Sequence, residues 1–351
     1  MSHNDVQYKN NKIIIGVFMN RKSVLVIALM AVVLVFSCAK KEEPENFFRV
    51  KPLDGGKSLE IISYTGKKQN VDIPSQLHGI SVTGIGKSVF QRNELIKVTI
   101  PSSVTAIGER AFAENMLTNV NIGSNVTAIG TDAFADNMLV RVNIGGSVTT
   151  IGDRAFRDNQ LTGVTIPNGV ISMGDRAFFN NKIASVIIPK NVTFIGAEAF
   201  AGNPITNLSV ASGNTAFITK DFCLFSNDGN QLMLYFGSEK DITIPESVTT
   251  IGAGAFSSKQ LTGVTISKNV VTIENRAFYE NELTTVIIPD NVTTIGEDAF
   301  DENPITSVTI GSGVNIGRSS FDDYGFYYTY ANYGRRAGTY ILRNGYWSRQ
   351  Q

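Results

Sequence analysis

The chain has 351 residues, with 31 basic and 31 acidic side chains, so it carries no net formal charge. That balance argues against a nucleic-acid binder, which usually shows a strongly basic face. Two cysteines exclude a disulfide framework, and two histidines, His3 and His78, exclude a His-rich metal site.

The first predicted element is a targeting segment over residues 1–37, with Met19 reading as an alternative translation start. Arg21 and Lys22 give a basic start, Val24 to Phe36 is apolar, and Ser37 closes the run. The run is shorter than the roughly 20 apolar residues that span a bilayer, and its order fits a secretory signal. Cys38, directly after a small residue, resembles the cysteine of a bacterial lipobox, which implies lipidation at Cys38 and attachment to a membrane through that lipid. Residues 38–46, charged and containing Pro44, read as the lipidated tether. Without residues 1–37 the body is mildly acidic, with 27 basic and 30 acidic side chains.

Residues 47–84 carry strand-like runs without the phrase that dominates the rest, and are expected to form an N-terminal cap. The phrase itself is "IPSSVTAIGERAFAEN" at Ile100–Asn115 and "IPKNVTFIGAEAFAGN" at Ile188–Asn203. Phe90, Phe112, Phe134, Phe156, Phe178 and Phe200 recur every 22 residues, and Phe256, Phe278 and Phe300 resume the beat. Each period predicts one strand of the "LTGVTI" kind, as at Leu161–Ile166, and a second short extended segment, "VTxIG". The glycine closing that segment is expected to serve a positive φ, and the "xxAF" that follows a single turn of helix. The Asn column, including Asn115, Asn137, Asn159 and Asn181, is expected to satisfy backbone groups at a corner of each coil. One coil cannot bury its own apolar face, whereas stacked coils share a core. The expected fold is a repeat solenoid over residues 85–321, leucine-rich-repeat-like and β-rich, with 22-residue coils and capping hairpins.

Residues 211–241 interrupt the beat. Two apolar runs flank Asn227-Asp228-Gly229-Asn230, which predicts a hairpin riding on the solenoid in place of a coil, with Cys223 buried. The alternative is a lobe that grips a ligand. Residues 322–351 are expected to form a C-terminal β-hairpin cap turning at Asn344-Gly345. Residues 324–351 contain four arginines and no acid, with seven of the eleven tyrosines and the single tryptophan. Arg335 and Arg336 are candidate ligand contacts there, because a charged head is costly to bury unpaired.

The phrase "IPxxVTxIGxxAFxxN" resembles the BspA-like leucine-rich repeat of bacterial surface proteins, over about residues 47–347, in a 22-residue form similar to that of spirochaetal members. The resemblance implies a right-handed solenoid, export to the cell surface or outer membrane, and adhesion to host matrix proteins or to other cells.

Chemistry finds little footing in the residues. The outward position seven after each Phe runs Lys97, Asn119, Arg141, Gly163, Ser185, Asn207, Gly263, Thr285 and Ser307. Two positions on are Thr99, Asn121, Asn143, Thr165, Ile187, Ser209, Thr265, Ile287 and Thr309. Neither holds the paired carboxylates of a solenoid glycosidase. No catalytic residue, cofactor, metal or small-molecule substrate is expected. The sheet offers hydrogen bonds to a large ligand instead, with Asn119, Arg141 and Asn143 as candidate contacts. A surface adhesin is the first expectation; a passive structural surface protein or a polysaccharide-binding module is the alternative.

Overall fold

The computed structural model describes residues 45–321 and 325–350, all within the unit Glu43–Gln351. The predicted signal segment, Cys38 and most of the tether lie outside the described residues. The described chain is a β-solenoid of about 12 coils spaced about 22 residues apart.

Two ladders run along it. In the first, the short strands Ala106–Ile107, Ala128–Ile129, Thr150–Ile151, Ser172–Met173 and Phe194–Ile195 pair in parallel, each residue meeting the one 22 positions later. Ile80–Ile85, Ser58–Tyr64 and the antiparallel edge strand Phe48–Leu53 extend this ladder over the N-terminal end. The second ladder is the "LTGVTI" strand. It includes the pairs Asn119–Asn121 with Arg141–Asn143, Ser185–Ile188 with Asn207–Val210, and Thr285–Ile287 with Ser307–Ile310. Leu161–Ile166, expected as a strand, forms no ladder of its own. The identical segment Leu261–Ile266 does pair, through Gly263–Thr265 with Asp241–Thr243, so the segment's own residues do not decide the pairing.

Between the ladders lies the core. Phe112, Phe134, Phe156, Phe178 and Phe200 stack nearly parallel at centroid distances of 5.1 to 5.5 Å, and Phe256, Phe278, Phe300 and Phe321 at 4.9 to 5.0 Å. Tyr64 and Tyr235 continue the two stacks against Phe90 and Phe256. Val and Ile of both strands fill the remaining interior.

The corners differ from expectation in two ways. The Ala-Phe segments form tight turns and no helix: the Ala155 N–H donates to the Gly152 carbonyl at 3.2 Å. The left-handed residue of that turn is Arg154 (φ 55°), and Asp158 (φ 52°) is a second one after the Phe. The column glycine is needed for close approach: a Cβ on Gly130 would lie 2.6 Å from the carbonyl carbon of Gly108. Stacked corners therefore touch backbone to backbone.

The insert is a three-stranded antiparallel excursion, Phe217–Lys220, Cys223–Ser226 and Gln231–Tyr235, whose last strand pairs in parallel with Thr250–Ile251. The apolar core falls into two clusters at this point. At the C-terminus a helix, Gly325–Asn332, precedes the hairpin Gly338–Arg343 and Tyr346–Arg349. The helix was not expected. It seats Phe326 and Tyr330 over the last coil, where Phe326 meets Phe321 and Trp347. The Tyr330 hydroxyl donates to the Gly311 carbonyl at 2.7 Å.

Candidate functional site

The second ladder positions one face. Its inward residues, such as Val120, Val186 and Val286, are buried, while Lys97, Asn119, Arg141, Ser185, Asn207 and Thr285 are exposed. Parallel pairing at a fixed step puts the same position of each coil in one row, so small polar side chains line up along the array.

Asn119, Arg141 and Asn143 are brought together. Arg141 lies beside Asn119 and Asn143 beside Asn121, with the Asn143 amide donating to Asn121 Oδ1 at 2.6 Å. They share one shallow depression with Asn70, Lys97 and Thr99. Lys97 and Arg141 make it basic, and the asparagines leave amide donors and acceptors at the surface. Arg335 and Arg336 belong elsewhere, in the bend between the helix and the hairpin. The Arg335 N–H donates to the Tyr330 carbonyl at 2.9 Å, and the Tyr340 hydroxyl donates to the Arg336 carbonyl at 2.7 Å. Both backbones are thus fixed by the cap, with the Arg336 side chain exposed and Arg335 half-buried.

Sequence reasoning missed several residues on this face. Thr285, Ser307, Ile341 and Ser348 are successive register partners, so the C-terminal hairpin prolongs the sheet. Arg343 and Tyr346 face each other across its turn, and Tyr346 is 79% exposed. Asp72 and Asp241 join the outward rows as partners of Thr99 and Gly263. Neither is visible from the Phe beat, because one lies in the cap and the other follows the insert. They stand at separate places along the array, one beside Thr99 and the other beside Gly263.

The opposite corners hold the buried charges. Asp132 accepts from Arg154 Nε at 3.0 Å, with Arg110 and Arg157 also on its carboxylate. Glu198, whose side chain is 4% exposed, pairs with Arg176 and, at 3.9 Å, with Arg276. These acids join successive coils, and the alternation Arg110, Asp132, Arg154 in one column was the available signal. The Asn column is likewise structural. Asn159 Nδ2 donates to the carbonyls of Phe134, Phe156 and Arg157, and its Oδ1 accepts from the Leu139 N–H. Burial pushes the Cys223 thiol up to about 12, so the thiolate is suppressed. Among the described residues, no three His, Cys, Asp or Glu side chains are placed to hold a metal ion.

The family described as BspA type leucine rich repeat region matches residues 83–207 and 234–329, in 6 copies. A leucine-rich repeat protein from Eubacterium ventriosum is 26% identical, with 77% of this chain and 71% of that chain covered and a TM-score of 0.61. A leucine rich cell surface protein from Faecalibacterium prausnitzii is 25% identical, covering 82% and 93%, with a TM-score of 0.60. The pneumococcal vaccine antigen PcpA shares the fold at 22% identity, covering 79% and 84%, with a TM-score of 0.61. No curated protein matches the chain. With the motif, the coil and the family match in agreement, the chain belongs to the BspA-type leucine-rich repeat family.

Proposed function

We propose that this protein is an exported bacterial surface lipoprotein, anchored through Cys38, that acts as an adhesin. Its partner is a host matrix protein or another surface protein, held along the open face of the second ladder. The observation that carries this reading is the face itself: rows of exposed Asn, Thr, Ser, Lys and Arg repeat over many coils without a catalytic pair. A long polar face with regularly spaced donors and acceptors suits an extended partner better than a small molecule, which binds in a concave pocket. Similarity to a protein described as a leucine rich cell surface protein supports the location. The Cys38 reading rests on the apolar run that ends there.

Purified protein titrated over immobilised matrix proteins and glycans tests the reading. Saturable binding to a matrix protein supports it, and saturable binding to glycans alone moves it to a polysaccharide-binding module. No binding to any of them leaves a passive structural component of the surface. For the anchor, cells fed a fatty-acid analogue label the wild type; label retained by Cys38→Ala would contradict lipidation at that cysteine.

A further inference from the structure

The arginines of this chain fall into two groups. Arg92, Arg110, Arg154, Arg157, Arg176 and Arg276, at the corners, each pair with a carboxylate. Arg318, Arg335, Arg336, Arg343 and Arg349, at the C-terminal end, form no ion pair among the described residues. Residues 318–351 hold these five arginines and no lysine. Their two acidic side chains, Asp322 and Asp323, lie outside the described residues. In a mildly acidic body, positive charge is thus concentrated at one end.

The fold gathers part of that charge at a single bend. After the helix Gly325–Asn332 the chain turns at Arg335 (φ 51°), whose carbonyl accepts from the Gly313 N–H at 2.8 Å. Arg349 reaches back over this bend from the last strand, its Nε and Nη2 donating to the Ala337 carbonyl at 3.0 and 2.7 Å. Gly338 makes room for it, because a Cβ there would lie 2.8 Å from Arg349 Nε. Arg336, beside Ala337 in the chain, is exposed. Burial pushes the Tyr340 hydroxyl up, and the nearby Arg349 and Arg336 charges pull the other way. Two guanidinium groups therefore converge on one bend. At the other end of the hairpin, Arg343 faces Tyr346 across the turn, and both are exposed. The strand Gly338–Arg343 between the two ends covers about 17 Å at the usual rise per residue.

We propose that this cap binds a sulfated glycan chain, which runs along the hairpin from Arg336 to Arg343. The planar fork of arginine meets an oxyanion through two parallel N–H donors, which lysine cannot supply. A single anion meets only one end of the hairpin, whereas a chain with anionic groups on successive sugars meets both. Tyr328, Tyr333 and Tyr346 are exposed, and each offers a flat ring face and a hydroxyl. Phe326 and Trp347 are buried. Among the described residues the cap thus exposes no large apolar side chain other than tyrosine, which argues against insertion into a lipid surface. The site lies at the opposite end of the array from the depression around Asn119 and Arg141. It does not depend on that depression binding a matrix protein.

The probe is a heparin-derived octasaccharide, titrated into the full chain by isothermal calorimetry. Saturable binding is expected, at least tenfold weaker for the desulfated octasaccharide. Binding should also weaken at least tenfold between about 0.1 M and about 0.5 M salt, where screening shortens the reach of surface charges. Arg336→Gln with Arg343→Gln should weaken it about tenfold and leave the melting temperature within a degree or two, since both side chains are exposed. The control Lys97→Gln with Arg141→Gln, in the depression on the open face, should leave it within twofold. Absence of binding, or binding that survives desulfation, overturns the proposal. So does a control that loses as much affinity as the cap variant, which would move the glycan to the open face. Tighter binding to an oligoglutamate of equal charge, or to vesicles of equimolar phosphatidylcholine and phosphatidylglycerol, would assign the cap to an acidic peptide or a lipid surface instead. The desulfation and salt arms need no altered protein, so a misfolded variant cannot obscure the answer.

Discussion

Two asparagines of the same chain show how position decides the role of a residue. Asn159 is 3% exposed and saturates three carbonyls and an N–H of two successive coils. Asn119 stands in solvent, its side-chain amide donating to the neighbouring Thr118 hydroxyl at 3.2 Å. A buried group left without its partner costs about 1–3 kcal/mol, whereas an exposed substitution usually stays within about 0.5 kcal/mol. Asn159→Ala should therefore lower the urea midpoint clearly, and Asn119→Ala should not; equal effects would contradict the burial of the Asn column. Cys223 gives a second test at this scale. Its thiol is protonated in the fold up to about 12, against 9.0 ordinarily. The unfolded chain thus loses that proton first, and the Cys223 contribution to stability falls as pH rises through this window. Iodoacetamide at pH 8 should modify Cys223 slowly in the native protein and rapidly in urea, as peptide mapping would show. Fast native modification would place the thiol at the surface.

Within each coil, the element that matters most is the Ala-Phe corner between two strands. Phe156 is fully buried between Phe134 and Phe178, at 5.4 Å from each. Phe156→Ala should cost about 3–5 kcal/mol through lost burial and a residual cavity, and an unchanged denaturation midpoint would contradict the stack. The 22-residue beat made this column legible, because every coil repeats the same inward position. Tyr64 and Tyr235, which extend the stacks, were hidden. They stand 26 and 21 residues before the next Phe, outside the period. The turn was misjudged as a helix because a left-handed position is usually marked by Gly or Asn, and here charged residues such as Arg154 occupy it. The helix Gly325–Asn332 left no signal either, since "GFYYTYAN" opens on glycine and lacks polar–apolar periodicity. In that cap, Trp347 is 8% exposed and packs edge-on against Phe326 at 5.1 Å. Trp347→Ala should lower the melting temperature by several degrees, while Arg335→Ala with Arg336→Ala should leave it within a degree or two. If the double arginine variant also loses ligand affinity, the cap shares in binding.

Across the whole described solenoid, stacking turns a weak local motif into an extended surface. Asn119, Arg141 and Asn143 could be placed on one face from the period alone, because parallel register keeps every seventh and ninth residue after Phe outward. The rest of the face was not legible. Arg343 and Tyr346 reach it through an antiparallel hairpin whose register no repeat dictates, and Asp241 through an insert that resets the count. The most direct measurement compares wild type with a face variant carrying Asn119→Ala, Arg141→Ala and Asn143→Ser, by surface plasmon resonance over the matrix protein that the wild type binds. Every changed side chain is exposed and no like charges are brought together, so the melting temperature should stay within a few degrees while the face loses a charge and two amides. Binding at least tenfold weaker at unchanged stability is the predicted result, and undiminished binding by the variant would contradict the open face as the adhesive surface.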